Sequence, residues 1–448
     1  MKRIYAILPA AALIIYFTAC ENLLDPKPHQ YINDEISLDS DQNVKKVLVG
    51  AYSQFDDPSI YGGCILRNSE LLGADDECLW TGVYPGPRQI FKKQMDAANE
   101  DVTNQWLESY EVVNIANNVL SALDVVNEAD RDRVEGEALF LRSLMFFDLV
   151  RFYARQYSFG EVNSQFGIPL VLTPSGGIGE AGYKGRNTVE DVYGQIITDL
   201  TSAAVRLPLE NGIYADRGAA NALLARVYLQ KGDYAKARDA ANAVITSGKY
   251  ELLPLYKDVF NNDENSPEDI FATQITPQDY RSSMTEFFSI PDYGGRDGDI
   301  EILEGHLSLY SPGDQRRALF FNGNGGMRSG KWNNLYGVVN LIRLAEMYLI
   351  RAECNFRLGT CVGDTPLDDY NAVHVRAGLQ PALTITLDDI ILERRLELSF
   401  EGFRIHDQRR LHQDVGILPY DAPSLIFPIP AREIAANPDI AGQQNEGY

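Results

Sequence analysis

The sequence predicts a mainly α-helical protein in which about four tetratricopeptide-like helical hairpins form a scaffold for a loop-rich, irregular half. Three observations lead to this prediction. Apolar residues recur at helical spacing over long stretches of the 448-residue chain. Two segments read as helix, glycine turn and helix, with small residues where two helices would cross. Residues 56–100 and 249–339 are instead rich in Gly, Pro, Asn and aromatics and show little helical period.

The first twenty residues have the organisation of an export signal. Lys2 and Arg3 precede an apolar run over residues 4–17, which is too short to span a bilayer as a mature helix. Small residues then lead into Cys20, the arrangement of a bacterial lipobox. We therefore expect residues 1–19 to be removed as a signal peptide and Cys20 to carry a lipid that anchors the mature chain. The alternative is an ordinary signal peptide that happens to contain a cysteine.

The charge balance excludes one class of partner. The chain has 40 Lys+Arg against 63 Asp+Glu, so its formal net charge is -23. Such a surface repels phosphate backbones, which argues against nucleic-acid binding. It also repels anionic lipids, so attachment to a membrane needs an anchor rather than a basic patch.

The mature chain keeps four cysteines beyond the lipobox: Cys64, Cys78, Cys354 and Cys361. An exported protein can form disulfides, and four cysteines allow three pairings. No C-x-x-C pair is present, so the spacing does not support a zinc site. Free thiols are the alternative to disulfides.

The predicted helices follow in chain order. Apolar residues at helical spacing predict helices near residues 44–55 and 101–126. A third helix is predicted near 131–155, which carries Leu139, Leu144 and Phe147 among other apolar residues. Thr188 then opens another helix, because Asp191 follows three residues later in a pattern similar to a capping box.

The two hairpin signals lie at residues 217–248 and 340–377, with their turns at Gly232 and Gly359. One such hairpin cannot bury its own apolar face, so several must stack. A final helix is predicted near 387–411. We therefore expect a single domain over 20–448, with helical segments at approximately 38–56, 100–155, 188–248 and 340–412.

Catalytic motifs are incomplete. Residues 177–182 fit G-x-G-x-x-G, but no helix is predicted to begin within them. Residues 325–331 match most of a P-loop, yet Trp332 stands where Ser or Thr would bind magnesium. Neither H-E-x-x-H nor G-x-S-x-G occurs, so we expect no enzyme activity. A secreted glycosidase is a remote alternative, because no carboxylate pair stands out.

We expect no cofactor and no catalytic metal. Asp297, Asp299 and Glu301 alternate after a glycine loop and could coordinate calcium. They lack the ligand spacing of an EF-hand, and a solvated acidic loop is the simpler interpretation.

Two aromatic loops are the candidate binding surface. The first aromatic loop spans residues 70–90 and the second spans 276–296. Flat apolar ring faces can stack on sugars while polar side chains bridge the hydroxyl groups. The alternative is that these rings pack the loops onto the helices. The predicted ligand-binding residues are Asp76, Trp80, Tyr84, Arg88, Tyr280, Phe288 and Tyr293.

Short motifs recur in a fixed order along nearly the whole mature chain. They are C-E-N-L-L-D at 20–25, I-P-L-V at 168–171, R-N-T-V-E-D-V-Y at 186–193, the hairpin at 217–244, L-I-R-L-A-E-M-Y-L-I-R-A-E at 341–353, E-R-R-L-E-L-S-F-E-G-F-R at 393–404 and F-P-I-P at 427–430. Together these motifs resemble the SusD/RagB family of outer-membrane lipoproteins. Each motif is modest, but their number and order make the resemblance specific.

The resemblance implies a non-enzymatic, lipid-anchored protein of the cell outer membrane that faces the exterior. Members of the family act as lids over a SusC-like TonB-dependent transporter and pass captured oligosaccharides to it. Some branches carry peptides or other nutrients instead, and this alternative stays open, as does a purely structural scaffold. The resemblance also places the A-D-D-E stretch at 74–77 near the ligand site and implies that Trp332 is a packed aromatic.

Overall fold

The computed structural model describes residues 38–158, 161–175, 183–278 and 281–448. The predicted signal peptide and Cys20 lie outside the described residues, as do Tyr280 and residues 177–182 of the glycine-rich motif. The helices of the described residues are α1 Asp41–Ser53, α2 Cys64–Gly73, α3 Pro85–Phe91, α4 Glu100–Ser121, α5 Glu128–Tyr153, α6 Val189–Arg206, α7 Arg217–Lys231, α8 Tyr234–Ile245, α9 Ser283–Phe288, α10 Glu304–Leu307, α11 Leu344–Leu358, α12 Pro366–Arg376, α13 Leu387–Glu397, α14 Arg404–Arg410 and α15 Ala431–Ala436.

The strands form two-stranded antiparallel sheets that pair β1 with β3, β2 with β6 and β4 with β5. Each sheet joins segments of the loop-rich half to one another or to the scaffold. The strands are β1 Cys78–Trp80, β2 Asp269–Thr273, β3 Ile300–Ile302, β4 Phe320–Gly323, β5 Gly326–Ser329 and β6 Val339–Arg343.

The long helices pack in sequence order, which confirms the predicted mainly helical fold of stacked hairpins. Helix α4 packs on α5, α5 on α6, α6 on α7 and α7 on α8, and the array continues from α8 to α11 and from α11 to α12 and α13. The α7–α8 turn is closed by Gly232, whose φ of 78° lies in the left-handed region that favours glycine. The predicted capping box at Thr188 and Asp191 is present at the start of α6.

The predicted loop-rich segments contain more regular structure than their composition indicates. Helix α2 lies in the first of them, and all ten of its residues are buried. Its polar residues Arg67, Asn68 and Glu70 are buried because they bond to groups of distant segments, and such partners do not show in the local sequence pattern. Helix α9 and strands β2 to β5 lie in the second segment.

The helix predicted near 387–411 is two helices. Residues 398–403 interrupt it between α13 and α14, and both Phe400 and Gly402 have positive φ angles, of 61° and 88°. The carboxylate of Glu70, on α2, accepts backbone N–H bonds from Gly402 at 2.8 Å and Phe403 at 3.0 Å. The interruption thus frees backbone N–H groups for Glu70, which lies more than 300 residues earlier in the chain.

The motifs at 341–353 and 393–404 meet in a buried ion cluster. Arg343 donates to Glu401 Oε2 at 2.7 Å, to Glu268 Oε1 at 2.7 Å and to Glu397 Oε1 at 2.8 Å. Burial disfavours ionisation of Glu397, but the guanidiniums around it, with Arg376 the strongest, hold its pKa well below the ordinary range. We call Arg343, Glu268, Glu397 and Glu401 the Arg343 cluster.

Lys331, the last residue of the incomplete P-loop, is also part of the core. Its ammonium donates to Glu401 Oε1 at 2.6 Å and to the carbonyl of Ser399 at 2.8 Å. Trp332 is buried, as expected, and its indole N–H donates to the carbonyl of Phe400 at 3.1 Å. Neither residue is available to a phosphate.

The four cysteines of the described residues are free thiols, so none of the three possible disulfide pairings is present. Cys64, Cys78 and Cys354 are buried, whereas Cys361 is exposed. Burial raises the pKa of Cys64 to about 12, which makes its thiol unreactive at neutral pH.

Candidate functional site

The pairing of β1 with β3 brings the two aromatic loops together. Trp80 at the end of β1 lies opposite Ile300 at the start of β3. The ladder continues for one more bond, because the Thr81 N–H donates to the carbonyl of Asp299 at 2.8 Å. Side chains just after β1 and just before β3 therefore share one end of a small sheet.

Tyr84 and Arg296 form the contact at the centre of this surface. Arg296 Nη1 donates to the Tyr84 hydroxyl at 2.6 Å, and the guanidinium carbon lies 4.4 Å from the centre of the Tyr84 ring. Arg296 Nε also donates to Asp299 Oδ2 at 3.1 Å. The Tyr84 ring rests edge-on against Phe287, with 6.0 Å between ring centres, and Tyr84 remains 41% exposed. The tyrosine is thus held in place and still reaches solvent.

Tyr293 is the second exposed ring of the second aromatic loop. It is 45% exposed and meets Phe321 of β4 edge-on, with 5.7 Å between ring centres. Gly294 follows with a φ of 83°, and a side chain there would also crowd Leu335, so the loop needs glycine directly after the tyrosine.

Arg88 and Asp76 are both exposed but lie apart. Arg88 Nη2 donates to the carbonyl of Gly82 at 2.7 Å, which fixes the turn that carries Tyr84. Asp76 precedes β1, at the opposite end of the strand from Tyr84, and its carboxylate lies beside Gly305 of α10. The structure therefore places Arg88 with Tyr84 and separates Asp76 from them.

Two predicted ligand-binding rings are not exposed. Trp80 is only 6% exposed and packs on Phe287, with 5.6 Å between ring centres. Phe288 is 0% exposed and packs against Phe400. The prediction of exposed stacking rings needs correction at both positions, because these rings fill the space between the aromatic loops and the core. Here the alternative interpretation, that loop aromatics pack the loops onto the scaffold, describes the geometry.

Sequence reasoning did not single out Arg296. The only signal was its position at the end of the second aromatic loop, next to two glycines. Asp299 was considered only as a calcium ligand. In the structure its carboxylate accepts from Arg296, and burial raises its pKa despite that guanidinium. Among the described residues, no group of three or more His, Cys, Asp or Glu side chains is arranged to hold a metal ion.

Comparison with known proteins shows what this chain is similar to. A family model described as "Starch-binding associating with outer membrane" matches residues 22–229, and the SusD family model matches residues 260–420. The chain belongs to the SusD family. None of the helices in the described residues is long and apolar enough to cross a membrane.

Individual members of the SusD family align over most of the chain. A SusD-like protein from Bacteroides ovatus is 25% identical, and the alignment covers 91% of this chain and 82% of that protein. The crystal structure of a SusD superfamily protein from Bacteroides thetaiotaomicron superposes with a TM-score of 0.81 at 25% identity, covering 91% of this chain and 99% of the other. Surface glycan-binding protein A from Bacteroides fluxus has the same fold, with a TM-score of 0.76 at 21% identity and coverage of 91% and 100%.

Proposed function

We propose that this SusD-family protein is a surface-exposed, lipid-anchored protein that binds oligosaccharides and delivers them to a SusC-like TonB-dependent transporter. It holds its ligand through non-covalent contacts and performs no chemistry on it. The observation that supports this proposal is the Tyr84–Arg296 contact, which holds an exposed ring on a surface built from both aromatic loops.

The chemistry of that surface suits a sugar. An exposed ring such as Tyr84 offers an apolar face to the C–H groups of a pyranose. Arg88 and Arg296 offer N–H donors to its hydroxyl groups, and Asp297 offers acceptors. Tyr293 supplies a second exposed ring in the same loop as Arg296.

Similarity supports the same class of ligand. One matching family model carries starch binding and outer-membrane association in its description, and a structural relative is named a surface glycan-binding protein. The partner transporter and the lipid anchor at Cys20 rest on the family resemblance and on the lipobox. A lid that opens over a transporter would trap the ligand between the two proteins.

Binding is tested by calorimetry of the wild-type protein against plant, host and microbial oligosaccharides and against a peptide library. Binding to at least one glycan, lost in Tyr84→Ala and kept in Phe356→Ala, supports the proposal. Phe356 is the matched control because it is an exposed aromatic residue on α11, outside both loops. Binding to peptides alone would favour the peptide carrier, and no binding to any glycan would remove the main claim.

The anchor and the partner need separate experiments. Cys20→Ala should abolish incorporation of labelled palmitate and release the protein from outer-membrane fractions. Protease treatment of intact cells should degrade the wild-type protein if it faces the exterior. Affinity purification of the wild-type protein from membranes should recover a TonB-dependent transporter, and its repeated absence after crosslinking would contradict the delivery step.

A further inference from the structure

A polar trough lies between three separate stretches of the chain. They are residues 155–165 after α5, the turn between α7 and α8, and residues 410–421 at and after the end of α14. The trough has a volume of about 530 Å³, within the range of about 300–1,000 Å³ that is usual for ligand-binding pockets. None of the described residues that line it belongs to either aromatic loop, so the trough is separate from the Tyr84 surface.

Hydrogen bonds of charged side chains hold the walls of the trough in place. Arg155 Nη1 donates to the carbonyl of Asp421 at 3.1 Å and so joins the first stretch to the third. Arg410 donates to both carboxylate oxygens of Glu353, on α11, at 2.8 and 2.9 Å. Such two-pronged bonds between guanidinium and carboxylate fix orientation as well as distance. The walls are therefore held by the protein's own contacts.

Tyr420 and His412 form a flat double layer of rings on one wall. Their ring centres lie 4.3 Å apart, and the planes differ by only 11°. His412 is exposed, and its φ of 54° places a residue with a side chain in the strained left-handed region. The Tyr420 N–H in turn donates to Asp414 Oδ1 at 3.1 Å. The chain thus retains local strain where two rings stack, and retained strain is concentrated at functional sites.

Tyr157 and Tyr234 supply one ring from each of the other two stretches. Lys231 Nζ lies 4.3 Å from the centre of the Tyr157 ring, and the guanidinium carbon of Arg357 lies 4.8 Å from the centre of the Tyr234 ring. These cation–π contacts orient both rings. Among the described residues, neither the Tyr234 nor the Tyr420 hydroxyl has a hydrogen-bond partner, and neither oxygen is buried. Both hydroxyls can therefore bond to a ligand.

The charges around the trough argue against an anionic ligand. Each Lys or Arg side chain that lines the trough is already paired with a carboxylate. The pairs are Arg155–Glu446, Lys231–Glu190 and Arg410–Glu353. The carboxylates of Glu161 and Asp421 also line the trough, so acidic groups outnumber basic ones. An anion would meet no uncompensated cation there.

The same walls do not favour a cation either. Glu161 and Asp421 are exposed, so water screens their attraction for a positive charge. The rings of Tyr157 and Tyr234 already have a cation within 5 Å of their centres, which would repel a second one. Neutral hydroxyl groups, in contrast, can donate to the two carboxylates and can bond to the half-buried amide of Gln230.

A sugar combines these features, because its C–H faces pack on aromatic rings while its hydroxyl groups bond to polar side chains. At roughly 30 Å³ per water the trough has space for about 18 waters, which is enough for a ligand of two sugar rings. We propose that the trough is a second carbohydrate site, which binds a neutral disaccharide or a disaccharide unit of a longer glycan. The sugar packs against the Tyr420 ring, and its hydroxyl groups bond to Asp421, Gln230 and the Tyr234 hydroxyl. This site stands independently of the function proposed for the Tyr84 surface.

The test is calorimetry of the wild-type protein and of Tyr84→Ala against neutral disaccharides that cover the α and β linkages of glucose, galactose and mannose. At least one of them should bind Tyr84→Ala, because that variant keeps the trough. Digalacturonate, which is anionic, and the cationic dimer of glucosamine should bind Tyr84→Ala at least about tenfold more weakly. The proposal is overturned if no neutral disaccharide binds Tyr84→Ala or if either charged dimer binds more tightly. Loss of every wild-type ligand in Tyr84→Ala would support the Tyr84 surface and exclude the trough.

Further substitutions in the Tyr84→Ala protein locate the binding. Tyr420→Ala should weaken the affinity about tenfold because it removes a packing ring. Gln230→Trp keeps every charge but fills the trough, and should weaken the affinity at least as much. Gln42→Trp is the matched control, since Gln42 is an exposed amide on α1, outside the trough. Thermal unfolding verifies that each variant is folded. Unchanged affinity in both trough variants, or an equal loss in Gln42→Trp, contradicts the assignment.

Discussion

Tyr84 and Arg296 are 212 positions apart in the chain, yet Arg296 Nη1 donates a hydrogen bond to the Tyr84 hydroxyl at 2.6 Å. The contact exists because β1 and β3 pair directly beneath it. One loop supplies the exposed ring and the other supplies the cation that holds it. Tyr84 takes both its hydrogen bond and its ring contact with Phe287 from the second loop, so the candidate site depends on the sheet that joins the loops.

Tyr84→Ala should lower the affinity for a bound oligosaccharide about tenfold, or about 1.4 kcal/mol, because the stacking face is removed. Tyr84→Phe keeps that face and loses only the hydrogen bond from Arg296, so its loss should be smaller. Calorimetry with one oligosaccharide that binds the wild type measures both. Equal losses in the two variants would show that the hydroxyl, rather than the ring face, contacts the ligand.

Arg343→Met should lower the free energy of unfolding by about 3–5 kcal/mol, because three buried carboxylates lose their shared partner. Urea unfolding followed by circular dichroism measures the change. Arg155→Met is the matched control: it removes an exposed pair with Glu446 and should cost less than about 1 kcal/mol. Similar losses in the two variants would mean that the Arg343 cluster adds little to stability.

Glu70→Gln should flatten the pH dependence of stability. The pKa of Glu70 is raised from 4.5 to about 7 in the folded protein by burial and by the charge of Glu77. The folded state therefore binds the proton more tightly than the unfolded state does. The stabilisation that the Glu70 proton gives to the folded state is fully present below pH 4.5 and is lost as the pH rises to about 7.

Glutamine has no proton to lose. As the pH rises through this range, the free energy of unfolding should therefore fall by up to about 3 kcal/mol less in the variant than in the wild type. Urea unfolding at a series of pH values measures this difference. Glu264→Gln, at an exposed carboxyl, should follow the wild-type curve. A Glu70→Gln curve parallel to the wild type would show that Glu70 ionises in the folded protein as easily as in the unfolded chain.

Gly232→Ala and Gly194→Ala should change stability in opposite directions. Gly232 ends α7 with a left-handed φ of 78°, where a Cβ is strained, so alanine should cost about 1 kcal/mol. Gly194 is exposed within α6, and a Cβ there meets nothing within 4 Å. Alanine at Gly194 should therefore stabilise the protein by about 1 kcal/mol. Thermal unfolding of both variants checks the signs, and a loss in both would contradict the distinction.

Local signals in the sequence were sufficient to predict most helices of the scaffold. The helical spacing in α1 and α4, the capping box of Thr188 and the glycine turn at Gly232 are each set by residues within a few positions of one another. Such short-range patterns fix where helices begin and end, largely without reference to the rest of the chain. Helix α2 was not predicted, because it has only ten residues and its buried polar side chains bond to groups far away in sequence, such as Gln105 and the backbone of Gly402.

The candidate site could be predicted only as a pair of loops. Composition indicates that aromatic rings occur there, but burial depends on residues far away in sequence. Trp80 and Tyr84 are four positions apart and both contact Phe287, yet Trp80 is buried and Tyr84 reaches solvent. The same limit applies to Phe288, which contacts Phe400 more than a hundred residues later.

By itself, the sequence determined the mainly helical class, the positions of the hairpins and the family resemblance, because each rests on local patterns or on ordered motifs. Only the tertiary structure decided which loop rings stay exposed and that Arg296 holds Tyr84. It alone showed that the charged motifs around Arg343 and Glu397 face one another in the core. The physical reason is that burial and ion pairing are properties of contacts between distant segments, and a residue's own neighbours in sequence do not specify them.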